Sequence, residues 1–139
     1  MNDKKGSSLI TTPIITMFSV VVLISTFICI INYMLPFIWY EKLNLITQKY
    51  TYVVEKFGTL TTSERKNLEI DLINRGFDIS KIKITLPDEN LKYGNLFEFS
   101  INYKYLNKEL KFTNGLLGYK ETLLPIKVSK YGYIKSNIK

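Results

Sequence analysis

Histidine is missing from this chain, and cysteine occurs once, as Cys29. Without histidine the commonest metal ligand and general base is gone. A single cysteine inside an apolar run cannot close an intrachain disulfide, so no such bridge staples the polar part. Cys29 does not fit a lipid-attachment site either, because Phe27 and Ile28 stand where small residues are required. Charge is absent over a long stretch: no Asp, Glu, Lys or Arg falls between Lys5 and Glu41. Of the chain's 19 Lys and Arg, 17 lie from Glu41 onward, with 11 of its 12 Asp and Glu. The chain therefore divides into an uncharged segment and a basic, polar remainder. That remainder has no Gly-rich phosphate loop, no cluster of metal ligands and no nucleophile–base pair, so neither an enzyme nor a cofactor is expected.

The uncharged run reads as a membrane segment. Residues Pro13 to Leu35 are almost wholly apolar, and at about 1.5 Å per residue they span a hydrocarbon core of about 30 Å. The hydroxyls of Thr11, Thr12, Thr16, Ser19, Ser25 and Thr26 are compatible with this, since they can bond back to helix carbonyls. Thr12-Pro13 reads as a helix start, a hydroxyl cap followed by proline. Tyr33, Phe37, Trp39 and Tyr40 form an aromatic belt of the kind found at a membrane–water interface. Pro36 removes one helix hydrogen bond and predicts a bend near Asn32. A cleaved secretory signal fits poorly: the apolar run is too long and no small-x-small site follows it. Lys4 and Lys5 favour a cytoplasmic N-terminus, although Lys42, Lys49 and Lys56 follow the segment closely on the other side.

The polar part begins as helix. Leu43, Ile46, Tyr50, Val53, Val54 and Phe57 recur at spacings of three and four, with Gly58 as the stop. Thr61 and Glu64 make a capping box for a second helix carrying Leu68, Ile70, Leu72 and Ile73, which Gly76 ends. Its carboxylates Glu64, Glu69 and Asp71 read as solvated. The period then changes to two. "KIKITL" alternates, and "LFEFSINYKYL" puts Phe97, Phe99, Ile101, Tyr103 and Tyr105 on one face. Asn107-Lys108 reads as a tight turn into a further strand, and Asn114-Gly115 with Gly118 as the next connection. Pro125 places the last strand at a sheet edge or a bulge. The fold class expected is α+β: a long N-terminal membrane helix, a second short helix and an antiparallel sheet of about four strands. Tyr93, Tyr103, Tyr105, Tyr119, Tyr131 and Tyr133 could form a nucleic-acid platform. The preferred reading is that they line a sheet face against the long helix. The lysines are scattered among acidic residues, so no specific nucleic acid is expected.

A short basic leader ending in glycine, an uncharged helix and an α+β head resemble a type IV pilin-like protein. The chain is most similar to TadE-like minor pilins (pseudopilins) of tight-adherence and related secretion systems. The leader stretch is "KKGSSLIT", and "GTLTTSERKNLEIDLINRGFDISKIKI", Gly58 to Ile84, resembles the segment that follows the membrane helix in that family. The resemblance implies a leader-like segment at 1–6, a transmembrane helix at 7–40 and an exported α+β domain at 41–139. It implies processing between Gly6 and Ser7 by a prepilin-type peptidase. Its other partners would be pilin-like subunits and membrane lipid, with Ser19, Ser25 and Thr26 allowing close helix packing. The fifth position after Gly6 holds Thr11, where the family carries a glutamate that pairs with a neighbouring subunit's amino terminus. The function expected is assembly of a bacterial pilus, secretion or conjugation-type apparatus. The alternative is a membrane-anchored module whose basic, tyrosine-rich head binds an anionic envelope polymer or nucleic acid.

Overall fold

One helix carries the whole molecule. In the computed structural model α1 runs unbroken over Lys4–Phe57, with Pro13 and Pro36 inside it. Residues 4–87, 91–113 and 116–135 are described, and of 4–11, 112, 113 and 117 the backbone alone. Thr12 is therefore not the helix start expected from its cap-like sequence. The helix already spans that position, and Thr16 Oγ1 donates to the Thr12 carbonyl at 2.9 Å. The helix also continues through Pro36 without a break.

Local signals set the next elements. Gly58 leaves α1 at φ 76°, a conformation that costs glycine nothing. α2 covers Thr62–Asn74, and its capping box is complete: Thr61 Oγ1 accepts from the Glu64 N–H, and Glu64 accepts from the Thr61 N–H. Gly76, at φ 88°, turns the chain away from α2. Asp78 then caps a short 3-10 turn at Ile79–Lys81 by accepting from the Ser80 N–H.

The sheet has three antiparallel strands in the order β1 (Ile82–Thr85), β2 (Leu96–Thr113), β3 (Leu116–Tyr133). About four were expected. The turn read at Asn107-Lys108 does not exist, because β2 passes straight through it and pairs with β3 along its full length. Asn107 keeps the alternation of Tyr103 and Tyr105 and is buried. The connection read at Asn114-Gly115 lies outside the described residues, and Gly118 sits inside β3. Pro125 is in β3, an edge strand, as its sequence predicts.

The core forms where α1 crosses the sheet. Leu43, Ile46, Tyr50 and Val54 of α1 meet Phe97, Phe99, Ile101, Tyr103 and Tyr105 of β2, with Ile126 and Val128 of β3. Leu68 and Leu72 complete it from α2, while Ile70 and Ile73 stay exposed. Burying each such side chain contributes about 1.5–3 kcal/mol. The fold is α+β, with the sheet and α2 gathered on the second half of one long helix.

Candidate membrane and assembly surfaces

Among the described residues, the first half of α1 is largely uncovered. Its apolar side chains from Ile14 to Ile31 stand exposed except Ile28, which is half-buried, and one window of this helix is long and apolar enough to cross a membrane. Thr16, Ser19 and Thr26 turn their hydroxyls onto the carbonyls of Thr12, Ile15 and Val22, four residues back. Each polar group is thereby satisfied inside the helix. Ser19, Ser25 and Thr26 all lie on this uncovered half, on an otherwise bulky apolar surface. Gly6 and Ser7 are in the first turns of α1, so the bond between them has helical rather than extended backbone.

The head takes hold of the helix at Asn32. Its amide donates to the Leu110 carbonyl at 3.2 Å, and its Oδ1 accepts from the Leu110 N–H at 3.1 Å. β1 covers only Ser100 to Tyr103 of β2, which leaves the same edge of β2 open beyond that point. Asn32 stands in for a neighbouring strand on that edge. A cleft of about 410 Å³ opens beside it, lined by residues including Cys29, Pro36, Asn107 and Glu109. Oδ1 of the buried Asn107 has no partner there.

The four residues read as an interfacial belt separate by helical spacing. Tyr33, Phe37 and Tyr40 share the outer face of α1 and are exposed. Trp39 turns inward. Its ring meets Phe77 edge-on at 5.0 Å and lies 5.9 Å from Tyr103 and 5.7 Å from Tyr105, with Lys42 over it at 4.7 Å. Trp39 is thus a wedge between helix and sheet.

Of the six tyrosines expected against the helix, only Tyr103 and Tyr105 are. Tyr93, Tyr119, Tyr131 and Tyr133 are exposed. Lys81, Lys83 and Lys104 line a second cleft of about 230 Å³ with Asn102, whose buried Oδ1 is also unpartnered. Lys81 is paired with Asp78 at 3.3 Å. Among the described residues no three metal-ligating side chains gather.

Ion pairs lock the far end of the head. Lys49 of α1 donates to Asp71 of α2 at 2.6 Å, and Tyr50 donates to the same carboxylate at 2.9 Å. The Lys49 bond, seconded by Tyr50, holds the Asp71 carboxyl below its usual range. Burial, then the Asp71 hydrogen bond, pushes the Tyr50 phenol up. Lys135 binds Glu55 by side chain, and its N–H donates to the Glu55 carbonyl at 2.8 Å, fastening the end of the sheet to α1. Comparison with family models, curated proteins and solved structures finds no match for this chain.

Proposed function

We propose that this chain is a single-pass, pilin-like accessory subunit, a minor pilin or pseudopilin, in the assembly of a bacterial pilus, secretion or conjugation-type apparatus. The observation that carries the reading is the division of α1. One continuous helix is bare and apolar over its first half and forms the spine of an α+β head over its second. A bare apolar half suits a lipid bilayer or a bundle of like helices, where hydroxyl positions such as Ser19, Ser25 and Thr26 ease close approach. The N-terminus would face the cytoplasm and the head would be exported. Processing between Gly6 and Ser7 requires the peptidase to unwind the first turn of α1, a cost the helix end meets most easily because it has the fewest hydrogen bonds.

The test is to co-express the full chain with the prepilin-type peptidase of its host and read the mature N-terminus by mass spectrometry. A Ser7 start that vanishes in Gly6→Leu supports the reading. A retained Met1 or Asn2 leaves a signal-anchored protein. The second reading, a membrane-anchored head that binds an anionic polymer, draws on the cleft with Lys83 and Lys104 and on the exposed tyrosines. Salt-dependent retention on an anionic polysaccharide or nucleic-acid column, lost in Lys83→Glu/Lys104→Glu, would favour it.

A further inference from the structure

We propose that the distal end of the β2–β3 hairpin is a second membrane contact, seated in the headgroup–acyl boundary of the leaflet from which α1 emerges into the head. This rests on the reading that the first half of α1 crosses a bilayer.

The direction of β2 comes first. Near its start, Phe97 pairs with Gly132, and the Glu55 side chain, near the end of α1, fills the space a Cβ on Gly132 would need. Its middle lies on Trp39 through Tyr103 and Tyr105, and Leu110 reaches back to Asn32. Each step along β2 therefore descends α1 towards its bare half. Between Tyr105 at Trp39 and Leu110 at Asn32, five steps of β2 pass seven residues of α1. At that slope the three steps from Leu110 to Thr113 pass about four more residues, about 6 Å of helix. The end of β2 comes level with about residue 28 of α1.

The other limit comes from charge. Lys5 is the last charged residue before the bare half of the helix. A hydrocarbon core of about 30 Å takes about 20 helical residues. Lys5 sets the lowest placement of that core, which then ends near Ser25 rather than at Leu35. The register of the hairpin and the charge limit are separate observations, and they lie within about three helical residues, about 5 Å, of each other, the depth of the headgroup layer.

The surface of the hairpin suits that level. On its outer face Leu106 pairs with Leu123 and Leu110 with Tyr119. Tyr119 and Leu123 are 70% and 60% exposed there, and Leu116, at a register position of the opposite face, is 74% exposed. Lys104 and Lys108 share that outer face with Glu121, and Lys111 and Lys120 stand on the opposite face of the same end with Glu109. Lys108 pairs with Glu121 at 3.2 Å and Lys111 with Glu109 at 3.4 Å, which leaves Lys104 and Lys120 outside those pairs. An apolar and tyrosine surface fringed by long cationic side chains fits the boundary of an anionic bilayer, where the ammonium groups reach the headgroups. Tyr133 is 59% exposed at the opposite end of the sheet. Apolar character alone would treat both ends alike, whereas the geometry brings only one to the lipid.

The test uses the full chain with Cys29→Ser, reconstituted in phosphatidylethanolamine–phosphatidylglycerol bilayers. Nitroxide labels are placed singly through Val21→Cys, Leu116→Cys, Tyr119→Cys and Tyr133→Cys. Collision with oxygen, which concentrates in lipid, is compared with collision with an aqueous nickel chelate. The expected result is strong shielding from nickel at 21, partial shielding at 116 and 119, and free access at 133. If 116 and 119 match 133 while 21 remains shielded, the hairpin proposal fails and the membrane helix stands. If 21 is itself open to nickel, the membrane reading fails and the hairpin proposal with it.

Discussion

Replacing Asn32 by leucine should free the end of the hairpin from α1 while leaving the rest of the head folded. Leucine keeps the approximate volume and removes both hydrogen bonds to Leu110, at 3.2 and 3.1 Å. Each such bond contributes about 0.5–1.5 kcal/mol net, so the pair contributes about 1–3 kcal/mol. The loss is local. Residues before Tyr105 are held by β1 and by the core, and Asn32 is a member of neither. The sensitive observable is therefore the Leu110 amide rather than the melting temperature. Hydrogen exchange followed by mass spectrometry on the full chain in micelles should show a peptide containing Leu110 exchanging about 5- to 150-fold faster, the range that 1–3 kcal/mol gives. Peptides covering α2 should not change. Unchanged protection at Leu110, with the aromatic circular dichroism of the Trp39 cluster intact, would refute the idea that Asn32 acts as a substitute strand.

Thr61→Ala should lower the stability of the head by about 1 kcal/mol through loss of the cap, visible as a reduced melting temperature in micelles. An unchanged temperature would mean that the capping box contributes nothing. Trp39→Ala should cost about 3–5 kcal/mol if the ring is a core wedge, and chemical denaturation in detergent, where no bilayer interface exists, separates that outcome from the near-zero cost of a purely interfacial tryptophan. Asp71 has a carboxyl held below its usual range by Lys49 and Tyr50. Its contribution is thus fully present above an unfolded-state value of about 4 and is lost as pH falls below it through the folded value. Asp71→Asn should flatten the acid limb of a stability–pH curve below about pH 4, and an unaltered limb would remove Asp71 from the account.

What could be read from the sequence was what is encoded locally. The Thr61–Glu64 box, the stops at Gly58 and Gly76 and the alternation from Phe97 to Tyr105 each depend on residues within a few positions, and the structure has them all. The errors fell where a distant partner decides. Asn107 looked like a turn because a polar residue interrupts an apolar face. In the structure it lines the cleft beside Pro36, with its Oδ1 unpartnered, instead of a dry helix surface. Trp39 looked interfacial because it stands among Tyr33, Phe37 and Tyr40, yet it lies on the opposite helical face and finds Phe77, 38 positions further on. Tyr93 lies in a turn before β2 and on no sheet face, and the other three exposed tyrosines were misread because period two assigns a residue to a face without saying which face α1 covers. Tyr119, Tyr131 and Tyr133 are odd-numbered residues of β3, whose even-numbered residues Ile126 and Val128 are the buried ones.

The uncharged run also has more length than a bilayer needs. From Gly6 to Tyr40 it contains 35 residues, about 53 Å as helix against a hydrocarbon core of about 30 Å. The excess is about 15 residues. Charge alone cannot say where the surplus belongs, because a helix covered by a sheet avoids charge for the same reason as a helix covered by lipid: both remove water. The structure shows which face of α1 the head covers. From Asn32 onward, the face carrying Asn32, Pro36, Trp39 and Leu43 is turned to the head, and Tyr33, Phe37 and Tyr40 are not. The surplus is thus the seat of the head, with the end of the hairpin reaching still lower. A head joined by a flexible linker would leave helix and head free to reorient. Here helix and sheet share one core through Trp39 and Leu43, so any force or tilt applied to the bare half of α1 reaches the sheet directly, as assembly of like subunits through that half would require.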